Sequence, residues 1–348
     1  MAKNSNKNTT SNEPKKKSKE QKNNSEEPKN NFYSLVYPVE IEMKEHHERD
    51  ARFVDKKLCF PWDCRKNGAF YKVFDCWKEV FNFAEAHFIS YEEDEKTNAL
   101  VSAIIRKEDG SYSYEDYYID SNGDYRSEAV KNIIKECDLT ICNPSGSEVK
   151  SFIPMVIGEL GKYCLFLGSN DVCSYMGVEC YLRDENNRLR VGYHGNFATR
   201  FIINELDIRK KGYYNTATDE TGEYKYCKAT TRWWWTNLPM PNANKRPLNF
   251  VFYEDLVARG LVHTYENYEG IDIRESKDVP CDYFGVIGVP ESFLKDFNYD
   301  EWEILDANDY RKPWQKEKPY GMIKDTSGQL NEIDKRPRRI LIRRKIKH

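Results

Sequence analysis

Short apolar segments alternate with helical ones along the first half of this 348-residue chain, and this alternation constrains the fold most. Lys57–Pro61 and Leu139–Cys142 are short and apolar, as buried strands are. Three- and four-residue steps separate Phe70, Phe74, Trp77, Phe81 and Ala84, which predicts one face of a helix. Strands that alternate with helices form parallel sheets with right-handed crossovers. We therefore predict an α/β fold with a doubly wound, mainly parallel sheet.

The same patterns locate the other elements of a core at residues 32–190. They predict a strand at His87–Tyr91, a hairpin within residues 106–122, a helix from Ser127 that stops before Asp138, a helix at Phe152–Leu160 and a strand at Cys164–Leu167. After about residue 190 the alternation weakens, and strands are separated by long polar segments.

Residues 1–31 consist almost entirely of Lys, Asn, Ser, Glu, Thr and Pro. Such a segment buries too little apolar surface to offset its ordering entropy, so we predict a disordered tail. Its Lys15–Lys17 run is interpreted as solvated, with contact to a polyanion as the alternative. The net charge of -3 excludes a uniformly basic nucleic-acid binder but allows a local basic face.

The ten cysteines form no CxxC pair, and Cys142, Cys164 and Cys173 sit in or beside apolar runs. We interpret them as small buried hydrophobic residues and expect no metal site. No apolar stretch approaches the ~20 residues of a membrane span, and the N-terminus lacks a secretory signal. The sequence therefore favours a cytoplasmic protein that has no membrane segment. Its oligomeric state is not encoded in any visible pattern.

Several polar residues follow predicted strands, where ligands bind in parallel sheets. Asn143, Pro144, Ser145 and Gly146 follow the strand that ends at Cys142, although Asn-Pro is also an ordinary turn dipeptide. Glu92 or Glu93 ends the second strand, where a carboxylate can bind ribose hydroxyls or simply form an exposed acidic loop. Asp124 either contacts a ligand or belongs to the turn that caps a helix at Ser127.

Two later segments have one structural and one functional interpretation each. In Trp233–Trp235 successive side chains point to opposite faces. They are either two core residues and one that covers a sheet edge, or they include a ring, Trp234, that stacks on a base. The basic run near the C-terminus either forms a charged edge strand or contacts phosphates. Its candidate residues are Arg338, Arg339, Arg343 and Arg344.

The segment GDYRSEAVKNIIKECDLTICNPSGSEVKSF resembles the EcoRI-type adenine-specific DNA methyltransferase family. There a GDFRS-like turn leads through a helix to a strand that ends in NPPF. Further blocks resemble the family in the same order from about residue 33 to the C-terminus. These blocks are KYCLFLGSNDVCSY, LRVGYHGN, WWWTNL, VPCDYFGVIGVPESFLKDFNYDEWEIL and RRILIRRK.

The resemblance implies transfer of a methyl group from S-adenosylmethionine to the N6 amine of adenine in double-stranded DNA. The Asn143 side chain and the Pro144 carbonyl would accept the two amine hydrogens, and an aromatic residue would stack on a flipped base. The implied cofactor residues are Pro61, Asp63, Glu92 and Asp124. Residues 191–348 would hold a target-recognition region and the closing core strands.

Two departures put activity in question. Where the family has Pro-Pro-Phe, this chain has Pro144-Ser145-Gly146, which lacks the stacking ring. Where the family has a Cys-Asp-Asp-Pro-like turn, residues 59–64 read CFPWDC, and one acid survives as Asp63. The alternative is therefore an inactive pseudo-methyltransferase that acts as a DNA- or protein-binding module. Phe152 or one of the three tryptophans would be a replacement ring in an active enzyme, and RNA or a protein amide is a further alternative target.

Overall fold

Three β-sheets and several short helices make up the part of the chain that the computed structural model describes. The described residues are 33–34, 36–66, 68–92, 94–194, 199–202, 216–218, 225–229, 232–265, 269–309, 323–324, 330–331 and 338–346. The predicted tail at residues 1–31 and Glu93 lie outside them.

The helices are α1 (Val36–Asp50), α2 (Ala69–Cys76), α3 (Lys78–Phe81), α4 (Glu128–Glu136), α5 (Val149–Ile153), which continues as a π-helical segment (Pro154–Glu159), and α6 (Tyr253–Ala258). Short 3-10 turns lie at Asn170–Ser174, Glu179–Leu182, Ser276–Asp278 and Glu291–Leu294.

The strands, numbered along the chain, are β1 (Tyr33–Ser34), β2 (Lys57–Pro61), β3 (Glu85–Ile89), β4 (Leu100–Arg106), β5 (Tyr112–Tyr118), β6 (Leu139–Cys142), β7 (Tyr163–Ser169), β8 (Arg190–Val191), β9 (Thr199–Ile202), β10 (Thr216–Thr218), β11 (Lys225–Ala229), β12 (Arg232–Thr236), β13 (His263–Tyr265), β14 (Ile271–Asp272), β15 (Ile287–Val289), β16 (Trp302–Asp309), β17 (Ile323–Lys324), β18 (Leu330–Asn331) and β19 (Arg338–Arg344).

The largest sheet has eight strands in the order β5-β4-β3-β2-β6-β7-β12-β8 and is mixed. Its four central strands, β3, β2, β6 and β7, are parallel, and antiparallel strands extend it on both sides. From β2 the chain adds β3 on one side and later returns to add β6 on the other. The strand order therefore reverses between β2 and β6.

Helices pack on both faces of this sheet because alternate strand residues are buried on each side. Leu58 and Phe60 of β2 pack in one apolar cluster with α1, α2 and α3. Cys59, between them, packs in a second cluster with α4 and α5. Both faces of the central strands are thus covered, which explains why their sequences are apolar throughout.

Most elements predicted for residues 57–170 are confirmed, with shifted ends. β2 and β6 have the predicted bounds, and the Ser127 hydroxyl caps α4 by accepting a bond from the Val130 N–H at 3.3 Å. The predicted helix through Phe70 and Phe81 is instead two helices, α2 and α3, which meet at Trp77. Phe74 and Phe81 are nevertheless buried in the same cluster.

The tryptophan run forms β12, which pairs with β7 and β8 inside the main sheet. Trp233 and Trp235 face one apolar cluster and Trp234 faces the other. Trp234 is only 1% exposed and lies edge-on to Phe70 at 6.2 Å between ring centroids. The structure therefore assigns Trp234 to the core, because helices cover both faces of the sheet, and it offers no open face for a base.

The C-terminal strands form a separate seven-stranded sheet in the order β16-β19-β15-β14-β13-β17-β18. β19 lies between β16 and β15, so the basic strand is internal to its sheet rather than at an edge. A smaller sheet has the order β1-β9-β11-β10.

Cys142, Cys164 and Cys173 are buried, as predicted. Within the described ranges, no set of three or more His, Cys, Asp or Glu side chains is arranged to hold a metal ion. No helix in that same part of the chain has the length and apolar character needed to cross a bilayer.

Candidate active-site crevice

The candidate site, called the crevice from here on, is the region at the carboxyl ends of β2, β3 and β6, where the strand order reverses. β2 pairs with β6 through Leu58 and Leu139, and with β3 through Pro61 and Ile89. Continuing each register by the same offset makes Trp62, Ser90 and Asn143 neighbours just beyond the strand ends. Ligands of open α/β sheets bind at such a reversal.

The predicted catalytic loop begins directly after β6. Asn143 is partly exposed, whereas Pro144 behind it is buried. The carbonyl of Ser145 accepts bonds from the Glu148 N–H at 3.0 Å and the Val149 N–H at 3.3 Å, and so starts the turn into α5. The loop is therefore short and anchored at both ends, which limits where Asn143 can move.

Gly146 lies in open space. A Cβ atom added at this position would meet no heavy atom within 4 Å. The missing aromatic ring of the family motif has therefore not been replaced locally by another packed side chain.

A network of polar bonds joins the start of α5 to the turn before α4. The Tyr125 hydroxyl donates to Glu148 Oε2 at 2.8 Å and lies 2.5 Å from Ser151 Oγ. Burial raises the pKa of Tyr125 to about 12, so the phenol remains a donor at neutral pH. Arg126 pairs with both Asp124 and Glu148. These bonds fix the loop that carries Asn143 relative to the neighbouring turn.

Asp124 organises its own turn. Its Oδ1 accepts the Arg126 N–H at 2.9 Å, while Ser127 rather than Asp124 supplies the side-chain cap of α4. Its carboxylate stays partly exposed.

The structure brings Glu92 to this same turn. The Glu92 N–H donates to the Asn122 carbonyl at 2.8 Å, and Asn122 Nδ2 donates to the Glu92 carbonyl at 3.0 Å. Gly123, at φ +88°, allows the close approach, since a Cβ there would lie 2.0 Å from the Ser90 carbonyl oxygen. Glu92 itself is partly exposed, and its Oε1 accepts from Ser90 Oγ at 3.1 Å.

Asp63 is a buried carboxylate close to the start of α2. It is 6% exposed and accepts the N–H groups of Phe70 at 3.3 Å and Tyr71 at 3.0 Å, at the first turn of α2. Burial raises its pKa to about 7, although the same N–H bonds act to lower it. Asp63 therefore caps the first turn of α2, and its contact with the cofactor stays a prediction. Pro61, also predicted to contact the cofactor, is buried at the end of β2.

Trp62 is a crevice residue for which sequence reasoning assigned no role. It is partly exposed at φ 62°, immediately beyond β2. Its ring lies 4.8 Å from Phe152 and 5.3 Å from Tyr125. The available signal was its position, because Trp62 follows β2 as Asn143 follows β6. Phe152, predicted as a replacement stacking ring, is fully buried and supports Trp62 instead.

The arginines of β19 that were predicted to contact phosphates differ in burial and in their partners. Arg339 is buried and forms an ion pair with the fully buried Asp272, so it is a structural residue of the C-terminal sheet. Arg343 is exposed and pairs with Glu303 at 2.7 Å. Arg344 is partly buried and donates to the Cys281 carbonyl. The Arg338 side chain lies outside the described residues.

Two described cavities lie away from this crevice. One, of about 430 Å³, is lined by residues that precede the central strands, among them Lys56, Asp138 and Lys162. The other, of about 320 Å³, lies beside β8 and includes Arg190 and Tyr299. Neither includes Asn143, so the assignment of the crevice rests on topology and on the residues at the strand ends.

Comparison with known proteins agrees with the resemblance seen in the sequence. The family model described as "Adenine-specific methyltransferase EcoRI" matches residues 17–345. The Type II methyltransferase M.MgeORF184P of Mycoplasma genitalium is 26% identical over 286 residues, covering 81% of this chain and 84% of the relative. The Type II methyltransferase M.EcoRI of Escherichia coli is 24% identical over 289 residues, covering 79% and 85%. The Type II methyltransferase M.MpnI of Mycoplasma pneumoniae is 26% identical over 197 residues, covering 54% and 58%. This chain therefore belongs to the EcoRI family of adenine-specific methyltransferases.

Proposed function

We propose that the chain transfers a methyl group from S-adenosylmethionine to N6 of adenine in double-stranded DNA. The observation that carries the proposal is the position of Asn143, partly exposed beyond β6 where the strand order reverses, with the buried Pro144 behind it. In the proposed architecture the main sheet is a doubly wound methyltransferase core. Residues 191–348 provide target recognition, apart from β8 and β12, which belong to the core sheet.

The residues at the carboxyl end of β3 fit a nucleoside. Glu92 keeps a partly exposed carboxylate, of which one oxygen accepts from Ser90, so it retains acceptor capacity for ribose hydroxyls. The turn that carries Asp124 is bonded to the same loop. When bound, S-adenosylmethionine supplies an electrophilic methyl group on its sulfonium.

The contribution of the chain is orientation rather than strong base catalysis. The exocyclic amine of adenine is conjugated with its ring and is a poor nucleophile. The Asn143 side-chain oxygen and the Pro144 carbonyl would accept its two hydrogens and align the nitrogen lone pair. The anchored loop limits how far these acceptors move, and such positioning is worth several kcal/mol, on the order of 7 or more in favourable cases.

The test is incorporation of labelled methyl groups into unmethylated genomic DNA, with chromatographic identification of the modified base. Wild type should yield N6-methyladenine, and Asn143→Ala should lose on the order of 100-fold or more in rate. Asp109→Ala, in the exposed turn between β4 and β5, is the matched control and should retain full activity. Folded wild-type protein that forms no N6-methyladenine on any duplex would refute the proposal.

A second candidate is a binding module without catalysis. The lack of a side chain at Gly146 and the burial of Asp63 favour it, because Gly146 supplies no ring for stacking and the Asp63 carboxylate is bonded to the N–H groups of Phe70 and Tyr71. It predicts DNA binding without measurable S-adenosylmethionine binding, which calorimetry distinguishes directly.

A further inference from the structure

Trp62 has a backbone conformation that its side chain does not favour. At φ 62° it lies in the left-handed region, where a non-glycine residue is strained. Such residues persist where the surroundings determine the conformation, and they cluster at ligand sites. Here the strain occurs at the reversal of strand order, one residue beyond β2.

Two buried rings fix the plane of the Trp62 indole. Tyr125 meets it edge-on at an interplanar angle of 67°, and Phe152 packs against it at 57°. Both supporting rings are buried, whereas Trp62 keeps part of its surface exposed. The three rings form an aromatic cluster, and Trp62 is the member that is partly exposed at the crevice.

The neighbours of Trp62 indicate which part of a ligand its ring contacts. Pro61, directly before it, pairs with Ile89, directly before Ser90 and the loop of Glu92, and the Trp62 ring contacts Tyr125 in the turn that follows Asp124. These are the residues to which the proposed function assigns the nucleoside of the cofactor. The base-stacking position of the family motif lies elsewhere, at Gly146 in the loop after β6.

We propose that Trp62 stacks on the purine ring of S-adenosylmethionine and is a cofactor-binding residue of this chain. The inference rests on the proposed function, since it presumes that this nucleoside enters the crevice. Stacking of a purine on an aromatic side chain is strong enough to measure as a change in affinity.

The test is calorimetric titration of the full-length chain with S-adenosylmethionine, without DNA. Trp62→Ala should weaken binding about 5- to 150-fold, whereas Trp62→Phe should keep most of the affinity. A fluorescence titration supplies the second readout. Cofactor should change the emission of wild type and of the control Trp77→Phe, another partly exposed tryptophan, but not that of Trp62→Phe. This readout still tests the proposal if Trp62→Ala does not fold.

An unchanged dissociation constant in Trp62→Ala would overturn the inference. A lower constant would also overturn it, because it would show that the indole fills the site. A third experiment uses a duplex with 2-aminopurine opposite an abasic site. If Trp62→Ala weakens binding of this duplex and leaves cofactor binding unchanged, the ring contacts the target base instead of the cofactor.

The two proposals can fail separately. Trp62-dependent cofactor binding without methyl transfer supports the inference and contradicts the proposed function. Methyl transfer by wild type, with unaltered cofactor binding in both Trp62 variants, supports the proposed function and contradicts the inference. No cofactor binding by wild type would overturn both.

Discussion

Restoring an aromatic ring at position 146 should strengthen methyl transfer. The substitution is Gly146→Phe, which returns the residue type that the family places at the end of this loop. An added Cβ meets no heavy atom within 4 Å, and Gly146 is not among the glycines at positive φ. The Cβ of the new side chain therefore meets no steric conflict, and the backbone conformation needs no left-handed φ.

The size of the effect follows from the contact that the ring supplies. Stacking of a base on an aromatic side chain is worth about 1–3 kcal/mol. The ring contacts the adenine only after the base has flipped out of the duplex. The stacking energy therefore raises kcat/KM about 5- to 150-fold. The free energy of unfolding should not fall, because replacing a glycine at a compatible position stabilises by about 0.4–1 kcal/mol.

The assay is single-turnover and steady-state methylation of duplex DNA, with Ser147→Phe as the control. Ser147 is exposed in the same loop, so its ring tests whether any added aromatic group is sufficient. Equal kcat/KM values for Gly146→Phe and wild type would refute the reasoning, as would an equal gain in Ser147→Phe.

Three further predictions concern stability. Burial raises the pKa of Asp63 from 3.8 to about 7, so the folded state binds a proton that the unfolded chain has released. Stability from this group is full below about pH 4 and is lost, by up to roughly 4 kcal/mol, as pH rises through 7. Denaturant unfolding between pH 5 and 8 should show this decline in wild type but not in Asp63→Asn, and equal pH profiles would contradict it. Gly68→Ala should cost about 1–3 kcal/mol in thermal unfolding, because its Cβ would lie 1.9 Å from Asp63 Oδ1, whereas Gly146→Ala should cost little. Arg339→Ala should cost about 3–5 kcal/mol by breaking a buried ion pair, against less than about 1 kcal/mol for the exposed Arg343→Ala, and similar unfolding midpoints would show that the burial of Arg339 is unimportant.

Sequence patterns predicted the central strands and the position of the loop after β6 because both are local. An apolar run that ends in Asn-Pro is sufficient to place Asn143 at the end of β6, and Ser127 has the residue type and position of a helix cap. The alternation of side chains along a strand also predicted that Trp233 and Trp234 point to opposite faces of the sheet. Whether both faces are covered depends on helices distant in sequence, so the burial of Trp234 was not predictable from its own segment.

The roles of charged residues were harder to predict, because their partners are distant in sequence or because the sequence does not show which way the side chain points. Asp63 resembles a surviving family acid, yet its carboxylate turns back to cap α2. Arg339 belongs to a basic run, but its partner Asp272 lies 67 residues earlier, in β14. Trp62 gains its importance from Tyr125 and Phe152, which only the folded chain brings together.

The most direct test of the central claim is sequencing, with detection of modified bases, of a plasmid that expresses the chain in a host without adenine methylation. With wild type, we predict N6-methyladenine at one short recurring sequence, and none with an equally expressed and folded Asn143→Ala. Unmodified plasmid from folded wild-type protein, or the same modification pattern from Asn143→Ala, would contradict the claim that the loop after β6 performs adenine methylation.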